Sequence, residues 1–127
     1  MDEDALVNEA RSYAAAIVDD DAAVLDSLRF LLEVAGHSVA TYGSAAAFLA
    51  DGAARPACLI LDHHMPQMTG LELAARLRAE GARTRVMLIT GSSSPALRAR
   101  AAELGIAKVL EKPPAEQELL DFVADPK

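Results

Sequence analysis

Residues Cys58 to Leu73 read CLILDHHMPQMTGLEL, and two periodicities meet in them. Cys58 to Leu61 is a short unbroken apolar run, the pattern of a strand covered on both faces, and it closes on an acid, Asp62. His63 to Thr69 contains Pro66 and reads as a loop. Thr69 is placed to cap a helix over Gly70 to Glu80, in which Leu73 and Leu77 fall one turn apart with Ala74 beside them. A buried strand that passes through an acid and a short loop into an amphipathic helix is part of a strand–helix–strand unit.

The same alternation extends outward in both directions. On the N-terminal side, Tyr13 to Val18 is an apolar run that ends at Asp19, Asp20 and Asp21, although its alanines weaken the strand signal. Ala23 to Ala35 then sets Leu25, Leu28, Leu32 and Ala35 at helical spacing, with Leu31 widening the stripe and Gly36 as the stop. Val39 to Thr41 is a short strand, and Ser44 caps a helix through Asp51 that turns Phe48 and Leu49 inward and ends at Gly52. On the C-terminal side, Val86 to Ile89 is a fourth strand ending at Thr90 and Gly91. Pro95 opens a helix with Leu97, Ala101 and Leu104 on one face, stopped by Gly105. Ala107 to Leu110 is the fifth strand, followed by Lys112, a double proline and a last helix with Leu119, Leu120 and Val123. Five strands alternating with five helices predict an α/β fold, a doubly wound parallel sheet with helices on both faces. The domain spans residues 12–125; residues 1–11 are acidic, without strand pattern, and read as a loose arm or short helix.

Composition narrows the function classes. A chain of 127 residues with 52% hydrophobic content fits one domain with a core of its own. A formal net charge of −7 opposes direct nucleic-acid binding and association with an anionic membrane. Cys58 is the single cysteine, so no intrachain disulfide forms, and its apolar surroundings make it a buried structural thiol. With neither a signal-peptide pattern nor an apolar spanning run, the expected location is cytoplasmic.

In doubly wound sheets, chemistry gathers outside the carboxyl ends of the strands. That rule selects Asp19 and Asp20 after the first strand, Asp62 after the third, Thr90 after the fourth and Lys112 after the fifth. Three carboxylates in one concavity repel one another, so the site has to raise a pKa or recruit a cation. Oxygen donors point to Mg²⁺, with Mn²⁺ as a substitute. The set suits phosphoryl transfer to a carboxylate: cation and Lys112 would stabilise the phosphoryl oxygens, and Thr90 would donate its hydroxyl to one of them. Singly, each residue has a plainer reading as a solvated acid, a turn cap or an exposed lysine; their shared address after different strands is what speaks for chemistry.

From Tyr13 to Val123 the chain resembles the receiver domain of two-component signalling, and most of all FixJ-type receivers. The matching stretches are IVDDD at Ile17 to Asp21, SLRFLLEVAG at Ser27 to Gly36, LDHHMPQMTGLEL at Leu61 to Leu73, ITG at Ile89 to Gly91 and LEKP at Leu110 to Pro113. The resemblance implies a flavodoxin-like strand order, 2-1-3-4-5. It makes Asp62 the phosphoacceptor and Asp19 with Asp20 the acidic pair organising Mg²⁺, joined by Asp62 and the backbone carbonyl of His64. Thr90 becomes the switch hydroxyl and Lys112 the residue gripping the phosphoryl group, followed by Pro113, which the family generally holds in cis. His64 and Ser92 match positions that tune the lifetime of the phosphorylated state through access of hydrolytic water. Replacing His64 is therefore expected to alter autodephosphorylation more than metal affinity.

Three places depart from the family pattern. Val109 stands where many receivers carry an aromatic switch residue, which leaves the switching motion to Thr90 and the polar loop from Gly91 to Pro95. His63 and His64 are unusual after the phosphoacceptor, yet magnesium chemistry prefers oxygen to imidazole. Pro114 and Ala115 replace a bulkier apolar residue after Pro113, and with Val109 would alter the output surface. The implied partners are a histidine kinase or histidine phosphotransfer protein as donor and a downstream output protein or domain, with a homodimer forming on phosphorylation. Two other classes compete. One is a phosphorylation-independent interaction module with a receiver fold. The other is a metal-dependent phosphatase, against which stands His64 where a second acid would serve proton transfer.

Overall fold

The computed structural model describes residues 13–51 and 56–125. The acidic start and Gly52 lie outside them. Among the described residues five strands alternate with five helices: β1 Ala15–Val18, α1 Ala22–Val34, β2 Val39–Tyr42, α2 Ala45–Ala50, β3 Cys58–Asp62, α3 Gly70–Ala79, β4 Arg85–Thr90, α4 Pro95–Glu103, β5 Lys108–Glu111 and α5 Glu116–Ala124. All strand pairings are parallel, and the sheet order is β2-β1-β3-β4-β5. The expected α/β sandwich and its strand order are present, with element ends displaced by one or two residues.

Alternation along the strands sorts the core into two layers, because successive side chains leave opposite faces of the sheet. Ala15, Ile17, Cys58, Ile60, Met87 and Ile89 pack under Leu25 and Leu32 of α1 and Leu119, Phe122 and Val123 of α5. Ala16, Val18, Leu59, Leu61, Val86 and Leu88 pack under Phe48 of α2 and Leu73, Ala74 and Leu77 of α3, with Leu97 and Leu104 partly buried at the same layer. Every residue of β3 is buried, which is why its sequence is a continuous apolar run. At roughly 1.5–3 kcal/mol for each fully buried large aliphatic side chain, this central strand is a main source of stability. Ala35, expected on the inner stripe of α1, is instead the exposed cap residue, and Phe30 and Val34 of the same helix face solvent.

Local chemistry sets the helix ends near the strand tips. Asp21 caps α1 by accepting from the Ala23 and Val24 N–H groups at 2.9 and 3.3 Å. Thr69 and Glu72 form a reciprocal capping box at the start of α3, with Thr69 N–H donating to Glu72 Oε1 at 2.8 Å and Glu72 N–H to Thr69 Oγ1 at 3.2 Å. Gly36 takes φ 98° just after α1, consistent with its place as a helix stop. Gly70 matters for a different reason: a Cβ there would stand 2.6 Å from Leu88 Cδ1 and 2.7 Å from the Asp62 carbonyl oxygen. Helix α3 can therefore start directly against the end of β3 only with glycine at this position.

A carboxylate cluster at the strand tips as candidate functional site

Four of the five residues selected from the sequence, Asp19, Asp62, Thr90 and Lys112, have their backbone tied to a neighbouring strand. Asp19 N–H donates to the Tyr42 carbonyl at 3.1 Å, His63 N–H to the Ile89 carbonyl at 2.9 Å, and Lys112 N–H to the Thr90 carbonyl at 2.9 Å. Asp62 is the last residue of β3 and pairs with Ile89. The strand ladders thus carry Asp19, Asp62, Thr90 and Lys112 to one edge with little freedom in their Cα positions.

Asp19, Asp20 and Asp62 each present a carboxylate oxygen within 4.8 Å of the others. Asp19 and Asp62 are buried, 5% and 2% exposed, whereas Asp20 faces solvent. Lys112 Nζ lies 2.9 Å from Asp62 Oδ1, and the same oxygen accepts from the His64 backbone N–H at 3.2 Å. Among the described residues, Asp62 Oδ2 is a buried atom without a hydrogen-bond partner. A buried carboxylate oxygen with no donor is costly unless a cation or an incoming group completes it.

Electrostatics follow the crowding. Burial pushes the Asp19 carboxyl above its ordinary pKa; the Asp21 N–H bound to it at 2.9 Å opposes the rise, and the Asp62 charge adds to it. Burial pulls the Lys112 ammonium down. Its hydrogen bond to Asp62 and the charges of Asp62, Asp19 and Asp20 together outweigh this, so Lys112 titrates above its ordinary value and stays cationic. The donor set is all oxygen and short of positive charge, which fits a hard divalent cation.

Other expected site residues occupy varied positions. Thr90 is fully buried, and its hydroxyl donates to the Ser92 carbonyl at 3.0 Å while accepting from Ser92 N–H at 3.2 Å. His64 Nε2 lies 2.9 Å from the same hydroxyl. Neither His63 nor His64 joins the group of possible metal ligands found among the described residues. Burial lowers the His63 pKa, helped by His64 and opposed by Asp62 and Glu72, and the two imidazoles meet edge to face with centroids 5.2 Å apart. Val109 pairs with Leu88 and is half-buried against the α3 and α4 layer. The Lys112–Pro113 bond is cis. Pro113 and Pro114 line an apolar cleft of about 390 Å³ with Val24, Leu28 and Ile89, next to Asp19 and Lys112.

Sequence reasoning missed the contacts made by the loops. The link from His64 to Thr90 joins residues far apart in the chain and left no spacing signal. Ser93 Oγ donates to Glu111 Oε1 at 2.8 Å and accepts from Arg98 at 3.2 Å, tying the loop after β4 to β5 and α4. The reciprocal half of the Thr69 cap was also missed, although the spacing Thr69-x-x-Glu72 is its signal.

The response regulator receiver domain family matches residues 15–124. The transcriptional regulatory protein FixJ of Azorhizobium caulinodans is 45% identical over 98 residues, 76% of this chain and 46% of that protein. The response regulator protein TodT of Pseudomonas putida is 36% identical over 108 residues, 84% of this chain and 48% of its own length. The chain thus spans about half the length of these relatives. Among solved structures, a CheY-like receiver domain protein from Methanospirillum hungatei superposes with TM-score 0.80 at 27% identity, covering 86% of this chain and 88% of that one. The structure of FixJ-N gives TM-score 0.76 at 31% identity, covering 89% and 94%. With its sheet order, its acidic strand tips and these relatives in agreement, this chain belongs to the response regulator receiver domain family.

Proposed function

We propose that Asp62 accepts a phosphoryl group, and that the resulting aspartyl phosphate switches the partner contacts of the domain. The observation that carries this reading is the divided state of the Asp62 carboxylate. Oδ1 is held by Lys112 and the His64 N–H, whereas buried Oδ2 has no partner among the described residues. An oxygen of that carboxylate attacks phosphorus, a P–O bond forms, and the bond from phosphorus to the donor nitrogen or oxygen breaks, the leaving group keeping its electron pair. Water later cleaves the acyl phosphate and restores the carboxylate.

Asp19, Asp20, Asp62 and the His64 backbone carbonyl are the residues that would hold Mg²⁺, or Mn²⁺ in its place. Bound there, the cation would offset the carboxylate repulsion and the charge on the phosphoryl oxygens. Lys112 supplies a fixed positive charge on the other side, and its hydrogen bond to Asp62 orients the carboxylate. The Thr90 hydroxyl, now spent on Ser92, becomes a donor to a phosphoryl oxygen after chemistry. His64 and Ser92 border the route of hydrolytic water and so tune the lifetime. Val109, Pro113 and Pro114 belong to the surface that reports the change.

The donor is a histidine kinase or a histidine phosphotransfer protein, acting in the cytoplasm, and the receiver of the signal is an output protein or domain, with homodimerisation on phosphorylation as one form of output. Net charge of −7 supports an output that does not run through nucleic-acid binding by this domain. Among the described residues no helix is long and apolar enough to cross a membrane. The test is incubation with acetyl phosphate or phosphoramidate, with and without Mg²⁺, followed by intact mass and peptide mapping. A labile adduct on the peptide containing Asp62, dependent on divalent metal and lost in Asp62→Asn, is expected. An adduct that survives Asp62→Asn, or none with any donor, overturns the reading.

A further inference from the structure

We propose that His64 is a positioning residue that latches the Thr90 hydroxyl onto the Ser92 carbonyl in the resting protein, so that phosphorylation of Asp62 must break the latch before the hydroxyl can turn to it. The proposal rests on the reading of Asp62 as phosphoacceptor and adds the device that restrains its response.

Hydrogen-bond counting defines the latch. A threonine hydroxyl has one proton and two lone pairs. The proton of Thr90 goes to the Ser92 carbonyl, which can only accept, at 3.0 Å. One lone pair takes the Ser92 N–H at 3.2 Å, and the other faces His64 Nε2 at 2.9 Å. With the proton already spent, Nε2 has to be the donor, which assigns the Nε2–H form of the ring. The hydroxyl is then saturated, and it leaves Asp62 Oδ2 unserved. Thr90 is 0% exposed, so in the resting protein its hydroxyl answers to these protein partners.

The same residue touches the reacting group. The His64 backbone N–H donates to Asp62 Oδ1 at 3.2 Å while its ring holds Thr90, so His64 spans phosphoacceptor and hydroxyl. A carboxylate that becomes an acyl phosphate loses negative charge on the oxygens bound to carbon, which weakens that backbone contact at the moment the phosphoryl oxygens begin to compete for the Thr90 proton. The latch thereby opposes the switch in the resting state and is released by the chemistry itself. The His64 side chain lies on the exposed side of the site, so its removal leaves the core layers untouched.

The test uses beryllofluoride with Mg²⁺ as a phosphoryl mimic, titrated by amide NMR into the parent, His64→Ala, Thr90→Ala and the double variant. Losing one hydrogen bond that favours the resting state tightens apparent beryllofluoride affinity in His64→Ala by about two- to tenfold. In the Thr90→Ala background the same change has no effect, because the latch has nothing to hold. His64→Gln keeps an N–H donor at comparable reach and returns the affinity toward that of the parent. Ring nitrogen spectra add a second readout: the His64 Nε2–H signal is present at rest and loses its hydrogen-bonded shift with beryllofluoride. Unchanged or weaker binding in His64→Ala, or an equal effect with and without Thr90, overturns the latch. Failure of the parent to bind beryllofluoride at all overturns the phosphoacceptor reading beneath it.

Discussion

Replacing Gly70 by alanine tests how tightly the acidic tip is built. The new methyl group would stand 2.7 Å from the Asp62 carbonyl oxygen, 2.6 Å from Leu88 Cδ1 and 3.1 Å from His63 Cα. The leucine is 0% exposed within the layer under α3, so its end cannot swing clear, and the carbonyl belongs to the backbone of the central strand. Contacts between carbon and carbonyl oxygen begin at about 3.3 Å, so α3 has to retreat by roughly 0.6 Å or the end of β3 has to bend. Overpacking of this kind costs about 1–3 kcal/mol, while removing a glycine from the first helical turn returns less than the ~1 kcal/mol of an interior position. The net loss is about 1–2 kcal/mol, a fall in Tm of roughly 3–10 °C for a domain of this size. Gly43→Ala is the control: nothing lies within 4 Å of its added methyl, and stability should hold or rise by up to ~1 kcal/mol through the unfolded chain. Thermal and urea unfolding followed by circular dichroism measure both, and labelling by acetyl phosphate reports whether Asp62 has moved. A Gly70→Ala protein as stable as Gly43→Ala would refute the claim that α3 starts in contact with the strand end.

Lys112→Ala removes the ammonium beside a carboxylate whose side chain is 1% exposed; because the lysine side chain is 38% exposed, the stability loss should be ~1–3 kcal/mol, under that of a fully buried pair. Acetyl phosphate labelling should drop by about 100-fold, and an unchanged rate would remove Lys112 from the chemistry. Burial pushes the Cys58 thiol up to about 11, and it donates to the Ala14 carbonyl at 3.4 Å. Ellman's reagent at pH 8 should therefore react with it only as fast as the protein opens, and fast labelling of the native state would contradict its place in the core. The Glu72 carboxyl is held below its ordinary pKa by the Thr69 N–H and hydroxyl. Its stabilising share is present above the unfolded value of about 4.3 and is lost as pH falls through the folded one, so the stability difference between the parent and Glu72→Gln should shrink on acidification.

What was legible in the sequence divides along a physical line. The layered sheet could be read because β3 and β4 are buried on both faces, which forces continuous apolar runs, and because Ser44 and Thr69 mark helix starts with side chains that bond locally. The five polar residues at the strand tips could be read from topology alone. The loops were not legible, since their hydrogen bonds join segments distant in the chain. Arg78 is the clearest case: it donates to the carbonyls of Ala82, Thr84 and Leu104, knitting the ends of α3 and α4, and no local pattern marks an arginine for that work. Phe122 went unremarked although it stands three residues after Leu119 at helical spacing; only its contact with the Arg85 guanidinium, 4.7 Å above the ring, joins distant segments. The contact of the His64 ring with Thr90 was equally hidden, because 26 residues separate the two.

The distribution of satisfied and unsatisfied groups also limits how the domain can switch. The backbone at the strand tips is paired: Asp19 to β2, His63 to β4 and Lys112 to Thr90. Moving a strand would break these ladder bonds and disturb both core layers. The side chains above that frame are balanced differently. Among the described residues Asp62 has one oxygen without a partner, and Thr90 has a hydroxyl committed to Ser92. A group arriving on Asp62 can recruit the Thr90 proton only at the expense of Ser92. Ser92 precedes Ser93, which is fastened to Glu111 of β5 and to Arg98 of α4. The rearrangement that needs the fewest broken ladder bonds therefore runs from Asp62 through Thr90 to the loop after β4, and then outward to α4 and β5. On the proposed function, with a half-buried valine at position 109, that loop is where a turn of Thr90 would first reach β5 and α4.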